Sequence, residues 1–273
     1  MKVLIVGAHS ILSKRLILEH PNDEINVLYH SKPFDQQVEN FPVSNINHLN
    51  VDYDIVYVVS AIITNDISKN NELYDVNIKL IKSICSKFIH SKIIFFSSVA
   101  VYDAIEFGII DEKTKPSPQS IYGISKLWGE KIVEQHSKYG IIRISSMYDE
   151  EMKETTFLPK IIESAIKENN ITLLGDGTRI QNYIHAKDVA SLARKSALCT
   201  ENLIIMGISP KNYSNKEVAQ IIQKITNCTI DFKGEDLSRS VEYKRSKHFL
   251  YQQTFTPLEQ GIKELIQWKT KQY

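Results

Sequence analysis

The segment 92–98 reads Lys-Ile-Ile-Phe-Phe-Ser-Ser, and the segment 122–126 further along the chain reads Tyr-Gly-Ile-Ser-Lys. The unbroken apolar run over 93–96 predicts a short, buried strand of a parallel sheet. Ser97 and Ser98 would then lie at the carboxyl end of that strand, where open α/β sheets bind their ligands. The stretch therefore predicts an α/β protein with a ligand site beside these two serines.

Tyr122 and Lys126 are four residues apart in a helical pattern, so we expect their side chains on one face of a helix. A hydroxyl, a phenol and an ammonium group that converge at a strand end suggest proton transfer to or from an alcohol or a carbonyl. Tyr183 and Tyr243 are also followed by lysine four residues later, but neither follows a serine pair at a strand end. We predict that Ser98, Tyr122 and Lys126 are catalytic; the alternative is a surface tyrosine beside a solvated lysine.

The composition narrows the class of protein. Its 273 residues suffice for one large or two small domains with a substantial core. The 33 basic and 32 acidic residues nearly balance, so bulk charge gives no sign of nucleic-acid or membrane binding. Three scattered cysteines argue against a disulfide framework or a zinc site, and we predict no metal. Without a membrane-spanning run or a signal peptide, we expect a cytoplasmic protein.

A second motif follows the first predicted strand. Residues 7–13 read Gly-Ala-His-Ser-Ile-Leu-Ser and lead into a helical pattern. A strand, a turn of small residues and a helix are the layout of a dinucleotide site, in which amides at the helix start hold a pyrophosphate. We predict that Gly7, Ser10, Ile11 and Leu12 bind a dinucleotide. The alternative is an ordinary turn, because serines occupy the second and third glycine positions of a Gly-x-x-Gly-x-x-Gly turn.

The end of the second predicted strand, over 25–29, bears on the choice of dinucleotide. A NAD site usually has Asp or Glu there to bind the ribose 2′-hydroxyl, whereas this chain has Tyr-His-Ser-Lys over 29–32. Ser31 and Lys32, together with Arg15, are suited to a 2′-phosphate. We therefore predict NADP as the cofactor, with NAD as the alternative.

The third predicted strand begins at Asp54 and ends in Ser60 and Ala61. Small side chains at this point suit a crevice that faces a cofactor, so we predict that both residues contact it. Asn77 lies in a helical pattern over 72–88, where its amide can bond the neighbouring loop, and we include it in the cofactor site.

Strands and helices alternate as far as Tyr148, which predicts a Rossmann-like, doubly wound parallel sheet. A helix over 187–198 and a buried strand over 203–206 are expected to rejoin this sheet. We therefore assign 1–147 plus 187–208 to a dinucleotide-binding domain.

The rest of the chain is predicted to form a smaller, mixed α/β substrate-binding region, 148–186 plus 209–273. Within it we interpret the runs 171–174 and 183–185 as a short strand pair across a Gly-Asp-Gly turn. Capping boxes at Ser214 and Thr256 predict the starts of two late helices.

These motifs, in this order, resemble the extended short-chain dehydrogenase/reductase family of NAD(P)-dependent sugar-nucleotide epimerases, dehydratases and ketoreductases. The resemblance implies that Tyr122 is the general acid/base, that Ser98 positions the reacting oxygen and that Lys126 binds the nicotinamide ribose. A free phenol is a poor base at neutral pH, and the Lys126 ammonium is expected to lower the pKa of Tyr122. The resemblance covers roughly residues 1 to 230 and rests on Gly7-x-x-Ser-x-x-Ser, Val59-Ser-Ala61, Val76-Asn77, Ser97-Ser-Val-Ala-Val-Tyr102, Tyr122-Gly-Ile-Ser-Lys126, Arg143-Ile-Ser-Ser and Gly175-Asp-Gly-Thr…Asn182-Tyr-Ile-His-Ala-Lys-Asp188.

Departures from the family pattern narrow the implied substrate. Family 4,6-dehydratases carry Asp-Glu directly after the catalytic hydroxyl, where this chain has Val99 and Ala100, so we do not expect a dehydratase. Many members bind the nucleotide diphosphate with an arginine where this chain has Gln181, and several carry Asn at the position of Ser146. The resemblance implies that Ser98, Ser146 and Gln181 contact the substrate, with Gln181 contributing a hydrogen bond but no charge.

We therefore predict an NADP-preferring reductase of a 4-keto-6-deoxy sugar nucleotide. The alternatives are a sugar-nucleotide epimerase with tightly bound NAD and a non-catalytic family member that binds NADP. His185 and Asp188 match the family and are expected to be structural. The resemblance also implies a homodimer through a four-helix bundle, with a predicted face of Leu73, Leu80, Ile84, Leu127, Ile132 and Val133.

Overall fold

The computed structural model of the protein describes residues 1–34, 38–50, 52–152, 156–246 and 249–272. Within these ranges the strands are β1 Lys2–Val6, β2 Glu24–Tyr29, β3 Glu39–Pro42, β4 Ile55–Val58, β5 Lys92–Ser98, β6 Ile109–Ile110, β7 Tyr139–Ile144, β8 Ser146–Tyr148, β9 Asn170–Leu174, β10 Ile180–His185, β11 Leu203–Gly207, β12 Asn212–Ser214, β13 Thr229–Lys233 and β14 Glu242–Tyr243. The α-helices are α1 Ile11–Glu19, α2 Asn70–Tyr74, α3 Leu80–Lys87, α4 Ile121–Val133, α5 Phe157–Lys167, α6 Ala186–Leu198, α7 Asn215–Thr226 and α8 Leu258–Thr270.

Seven strands form one sheet in the order β11-β7-β5-β4-β1-β2-β3. Every pairing within it is parallel, and the order runs outward from β1 and β4 in both directions, as in doubly wound folds. The predicted Rossmann-like α/β fold is confirmed. The buried strand predicted over 203–206 is β11, which forms one edge of this sheet.

The side chains of β1 account for the layers on either side of the sheet. Val3 and Ile5 pack in one apolar cluster with residues of α1 and α6. Leu4 and Val6 point to the opposite face and pack in a second cluster with residues of α3 and α4. Because successive strand residues face opposite sides, a sheet covered on both faces needs a nearly continuous apolar run, and all four side chains are completely buried.

The helical pattern predicted over 72–88 contains a change of pitch. A π-helical turn over Asp75–Lys79 joins α2 to α3, and the backbone stays helical at both junctions. Asn77 lies buried in this turn; its Oδ1 accepts a hydrogen bond from Ile62 N at 2.8 Å, and its Nδ2 donates to Ser125 Oγ at 2.9 Å. One asparagine thus ties the loop after β4 to α4.

The predicted strand pair of 171–174 with 183–185 is wrong. β9 pairs in parallel with β13, which places Ile171 opposite Ile230. β10 instead forms a separate small sheet with β8 and β12, and β14 pairs with β6. The local sequence identified the strands but gave no information about partners so far along the chain.

One of the two predicted capping boxes is present. Ser214 caps α7 with the full reciprocal pair of hydrogen bonds. Thr256 does not cap α8, which begins after Pro257 without a side-chain cap. Its backbone N and its Oγ1 donate to the carboxylate of Asp188 at 2.9 and 3.1 Å, so a distant partner captures the residue. Asp188 is structural as expected, and so is His185, which caps α6. Among the described helices, none has the length and apolar character to cross a bilayer.

Candidate active site

A cleft of about 760 Å³ opens at the carboxyl ends of the central strands of the main sheet. This is the edge at which parallel α/β sheets bind ligands. Most of the predicted site residues line it: Gly7, Ser10, Leu12, Ser31, Ser60, Ala61, Ser98, Tyr122, Lys126 and Ser146. The predicted residues that the structure places away from its lining are Ile11, Lys32, Asn77 and Gln181.

Ser98 and Tyr122 both line the inner wall of the cleft, and the Ser98 hydroxyl favours the ionised form of the Tyr122 phenol. Ser98 is the last residue of β5, and its Oγ accepts a hydrogen bond from Ala100 N at 3.1 Å. The accepting role leaves the hydroxyl proton of Ser98 free to be donated towards the phenol oxygen. A strand-end hydroxyl and a helical phenol therefore lie on the same wall of the cleft.

The start of α4 is fixed so that Tyr122 reaches this wall. Ser120 caps the helix, its Oγ accepting from Gly123 N at 3.0 Å. Ser120 N donates in turn to the carboxylate of Asp103 at 3.2 Å. Gly123 passes so close to Ala100 O that a Cβ atom at this position would overlap it, which explains the glycine beside the tyrosine.

Lys126 is 2% exposed, and its Nζ lies 4.2 Å from the centroid of the Phe95 ring. Burial lowers the pKa of Lys126 to about 7, although the Glu130 carboxylate opposes this shift. Burial also raises the pKa of the Tyr122 phenol, and the Ser98 hydroxyl opposes that change. The pKa of Tyr122 therefore shifts in the opposite direction to the one expected from Lys126. The pair thus combines a phenol that retains its proton with an amine that titrates near neutrality.

The serines at the glycine positions of the first turn have specific partners. Ser10 caps α1, its Oγ accepting from Leu12 N at 3.2 Å, so the Leu12 amide predicted to bind pyrophosphate is already bonded. Ser13 is fully buried and its Oγ donates to Gly7 O at 2.7 Å. Gly7 has φ of +115°, and a Cβ atom there would lie 2.7 Å from Ser60 N. Only the first glycine position therefore requires glycine in this chain.

The outer end of the cleft carries groups that the sequence reasoning did not include. His9 and His30 line it, and His9 Nε2 donates to Lys32 O at 2.8 Å, holding the loop after β2 against the turn. His9 is the third residue of the turn over 7–13, so its place beside the cleft could have been predicted from the sequence. Among the described residues that line the cleft, none is Asp or Glu.

Arg15 does not join this group. Its Nε and one of its terminal nitrogens each donate to the Asp149 carboxylate at 2.8 Å, and the guanidinium also contacts Glu150. Asp149, Glu150 and His185 have potential ligand atoms within 4.8 Å of one another, but both carboxylates are bonded to Arg15. The expected contribution of Arg15 to a 2′-phosphate site is therefore wrong.

Three further predicted residues have clear positions. Ser146 begins β8 and is exposed at the cleft, opposite Tyr183 in β10. Gln181 Nε2 donates to Asn215 Oδ1 at 2.7 Å. Asn77 supports the site from behind through the backbone of Ile62, without lining the cleft.

Sequence reasoning also missed a buried ion pair between Glu130 and Arg143, next to the helix face that carries Lys126. Two signals pointed to it. Glu130 lies four residues beyond Lys126, so the two share a helix face. Arg143 is a charge within an otherwise apolar strand segment, and such a charge is rarely buried without a partner.

Comparison with known proteins agrees with this architecture. Residues 42–197, more than half of the chain, match the sequence profile of the NAD dependent epimerase/dehydratase family. A protein of Methanocaldococcus jannaschii with the provisional name UDP-glucose 4-epimerase is 28% identical over 240 residues, covering 80% of this chain and 77% of its own. The UDP-glucose 4-epimerase of Lactobacillus helveticus is 24% identical over 276 residues, covering 85% of this chain and 84% of its own.

Solved structures share the fold at lower identity. The UDP-glucuronic acid 4-epimerase of Bacillus cereus, solved in complex with NAD, superposes with a TM-score of 0.86 at 19% identity, covering 100% of this chain and 97% of that one. MoeE5, solved with UDP-glucose and NAD, gives 0.85 at 18% identity, covering 100% and 99%. The match to the family profile, together with the fold and the strand-end site, establishes that this chain belongs to the NAD dependent epimerase/dehydratase family, within the extended short-chain dehydrogenase/reductase group that its motifs resemble.

Proposed function

We propose that this protein is a sugar-nucleotide 4-epimerase that uses Tyr122 as its general acid and base. The observation that carries the proposal is the meeting of Ser98, Tyr122 and the buried Lys126 on the wall of one cleft, whose described lining residues include no Asp or Glu. Relatives named UDP-glucose 4-epimerase match four fifths or more of the chain, which favours a UDP-hexose as substrate.

The residues of the cleft fit a nicotinamide dinucleotide. Gly7 leaves space against Ser60 that any side chain would fill, and Ala61 continues this small-residue surface. Lys126 faces the inner end, where its ammonium would hold the nicotinamide ribose. When bound, the dinucleotide supplies hydride transfer.

The side chains of this chain would hold the sugar and move its proton. Ser98 would donate a hydrogen bond to the reacting oxygen and fix it near Tyr122. Tyr122 would give or take the proton of the 4-hydroxyl, and a charged Lys126 would favour the phenolate form. Val99 and Ala100 follow Ser98 and carry no group that exchanges a proton, so we do not propose elimination of water.

A second candidate is a reductase of a 4-keto-6-deoxy sugar nucleotide that consumes NADPH. The specific observation in its favour is the outer end of the cleft, where His30 and Ser31 stand without an acidic residue to bind a ribose 2′-hydroxyl. Lys32 is exposed beside them and would supply the charge that Arg15 does not.

One experiment separates the two candidates. Purified protein is first denatured to release and identify any bound nicotinamide, and native protein is then incubated with UDP-glucose without added cofactor. Formation of UDP-galactose, followed by nuclear magnetic resonance, would support the epimerase. Stoichiometric oxidation of NADPH with a 4-keto-6-deoxy sugar nucleotide would support the reductase. Failure of both reactions, with nicotinamide binding intact, would contradict the proposal of a sugar-nucleotide enzyme.

We also propose a homodimer, through a surface that differs from the one the sequence suggested. Ile84 and Val133 of the predicted face are fully buried within the chain's own core. The large apolar residues that α2 and α4 expose are Tyr74, Ile124 and Trp128, each about half exposed. The rings of Tyr74 and Trp128 are in edge contact. Trp128→Glu is expected to produce monomers in sedimentation experiments.

A further inference from the structure

Glu130 lies at the centre of a buried polar network. Its side chain is 0% exposed, and Oε1 accepts hydrogen bonds from Ser97 Oγ at 2.6 Å and from Arg143 Nε at 2.9 Å. Oε2 accepts from the terminal nitrogen of Arg143 at 2.7 Å. The carboxylate is therefore held in a two-point ion pair with one guanidinium, the geometry with the strongest orientational preference.

The network joins the three elements that form the catalytic wall. Ser97 and Arg143 are opposite one another in the pairing of β5 with β7, and Ser97 directly precedes Ser98. Arg143 also donates a hydrogen bond to the hydroxyl of Tyr102, and its guanidinium carbon lies 5.2 Å from the centre of the Tyr102 ring. Tyr102 belongs to the turn that follows Ser98. A single carboxylate on α4 thus fixes the helix of Tyr122 to the strand end that carries Ser98.

The same carboxylate is the nearby compensating charge for Lys126, one helical turn away. On the other elements that pack against α4, β7 contributes Arg143, which is neutralised by Glu130, and the turn after β5 contributes the neutral Tyr102. Asp75 and Lys79 of the π-helical turn pair with each other in solvent. The ammonium of Lys126 is buried, and the Glu130 carboxylate stabilises its positive charge.

A buried ion pair is a poor device for stability, because desolvation offsets most of the attraction between its members. Its position between Lys126 and Ser98 suggests a role in the site. We propose that Glu130 is a positioning residue for the reaction: its carboxylate, held by Arg143 and Ser97, keeps Lys126 protonated and holds α4 at the separation from Ser98 that Tyr122 needs. This inference rests on the proposed roles of Tyr122 and Lys126.

The test measures the charge of Lys126 directly, so that it does not depend on knowing the substrate. Protein labelled with ¹³C at the lysine ε-carbon is titrated by nuclear magnetic resonance, and the Lys126 signal is assigned by its loss in Lys126→Met. In Glu130→Gln the titration midpoint of Lys126 is expected to fall by about 1 unit or more, the usual effect of removing a close opposite charge. The double variant Glu130→Gln/Arg143→Met should show a smaller fall in the same direction, because it also removes the positive charge of Arg143. It leaves no buried guanidinium unpaired, which protects the test against misfolding.

Glu130→Asp is the matched control for charge. It keeps the negative charge but shortens the side chain that bonds β5 and β7. We expect its Lys126 midpoint to stay near the wild-type value while turnover falls, which separates positioning from charge. In the glutamine variants, the alkaline limb of the pH profile of kcat should move down by the same amount as the midpoint.

An unchanged Lys126 midpoint in both glutamine variants would overturn the role of Glu130 in holding the charge. Wild-type turnover in Glu130→Asp would overturn its role in positioning. A shifted midpoint in a protein that turns over no sugar nucleotide would leave the charge relation supported and would count against the proposed function alone.

Discussion

The inner and outer ends of the cleft are built on different principles. At the inner end, Lys126 is buried, and Tyr122 and the strand-end Ser98 line the same wall of the cleft. At the outer end, His9, Ser31 and Lys32 are exposed. A hydrogen bond from the His9 side chain to the backbone carbonyl of Lys32 links the turn to the loop after β2. We therefore expect the inner end to be more sensitive to the identity of its side chains than the outer end.

Replacement of Tyr122 by Phe should have the largest effect, because it removes the proposed proton-transfer group from the inner end. We expect turnover to fall by about 10²- to 10⁴-fold and cofactor binding to persist. Initial rates with the active sugar nucleotide and a fluorescence titration with NADH or NADPH measure the two quantities. A variant that loses cofactor binding as well would indicate that the inner and outer ends are not independent.

Lys126→Met tests how much the buried ammonium at the inner end lowers the stability of the protein, through the dependence of stability on pH. The pKa of Lys126 is about 7 in the folded protein and near 10.4 in an unfolded chain. Between these two pH values the unfolded state binds more protons than the folded state, so the free energy of unfolding of the wild type rises with pH. Below about pH 7 this gain in stability is absent. The variant should therefore be more stable than the wild type at pH 7, by on the order of 4 kcal/mol. Urea unfolding at pH 7 and pH 9 checks this, and a stability difference that does not narrow at pH 9 would refute it.

Ser31→Asp tests whether the outer end selects the dinucleotide. A new carboxylate would repel a 2′-phosphate and accept a hydrogen bond from a 2′-hydroxyl. We expect the affinity for NADPH to fall at least about tenfold relative to NADH, since juxtaposed like charges cost more than 1.4 kcal/mol. Fluorescence titrations with both dinucleotides give the ratio, and Ser31→Asn is the neutral control of matched size. An equal change in both variants would rule out charge as the cause.

Ser13→Ala should have the smallest effect. It removes the buried hydrogen bond to Gly7 O and is expected to lower the free energy of unfolding by about 1 kcal/mol, with unchanged turnover. Urea denaturation should show a lower midpoint and the same slope. Ser10→Gly is the control, with an expected loss of only a few tenths of a kcal/mol, because glycine is tolerated at a helix cap.

The sequence predicted the main sheet well because each of its central strands is an apolar run that must be covered on both faces. It predicted the cleft for a related reason, since strand-end residues such as Ser60 and Ser98 meet at one edge of a parallel sheet. The failures share one cause. The partner of β9, the acceptor for Thr256 and the acceptors for Arg15 all lie far away in the chain, where local pattern carries no information.

The same limit applies to the chemistry of the site. The spacing of Tyr122 and Lys126 made both residues candidates, but the depth at which Lys126 is buried depends on how α4 packs on β5 and β7. The low pKa of Lys126 is a property of that packing. It could not be read from the identity of the lysine or from its neighbours along the chain.

The π-helical turn over Asp75–Lys79 determines where this helix can lose a residue without disturbing the core. Such a turn accommodates one more residue than an α-helical turn, so deletion of a single residue there would produce a regular helix. Residues beyond the turn, including Ile81 and Ile84 in the core, would then stay on nearly the same face. The same deletion elsewhere in the helix would rotate them by roughly 100° relative to α2. The cost of a deletion within the turn would fall on Asn77, whose hydrogen bonds to Ile62 and Ser125 depend on its place in the turn.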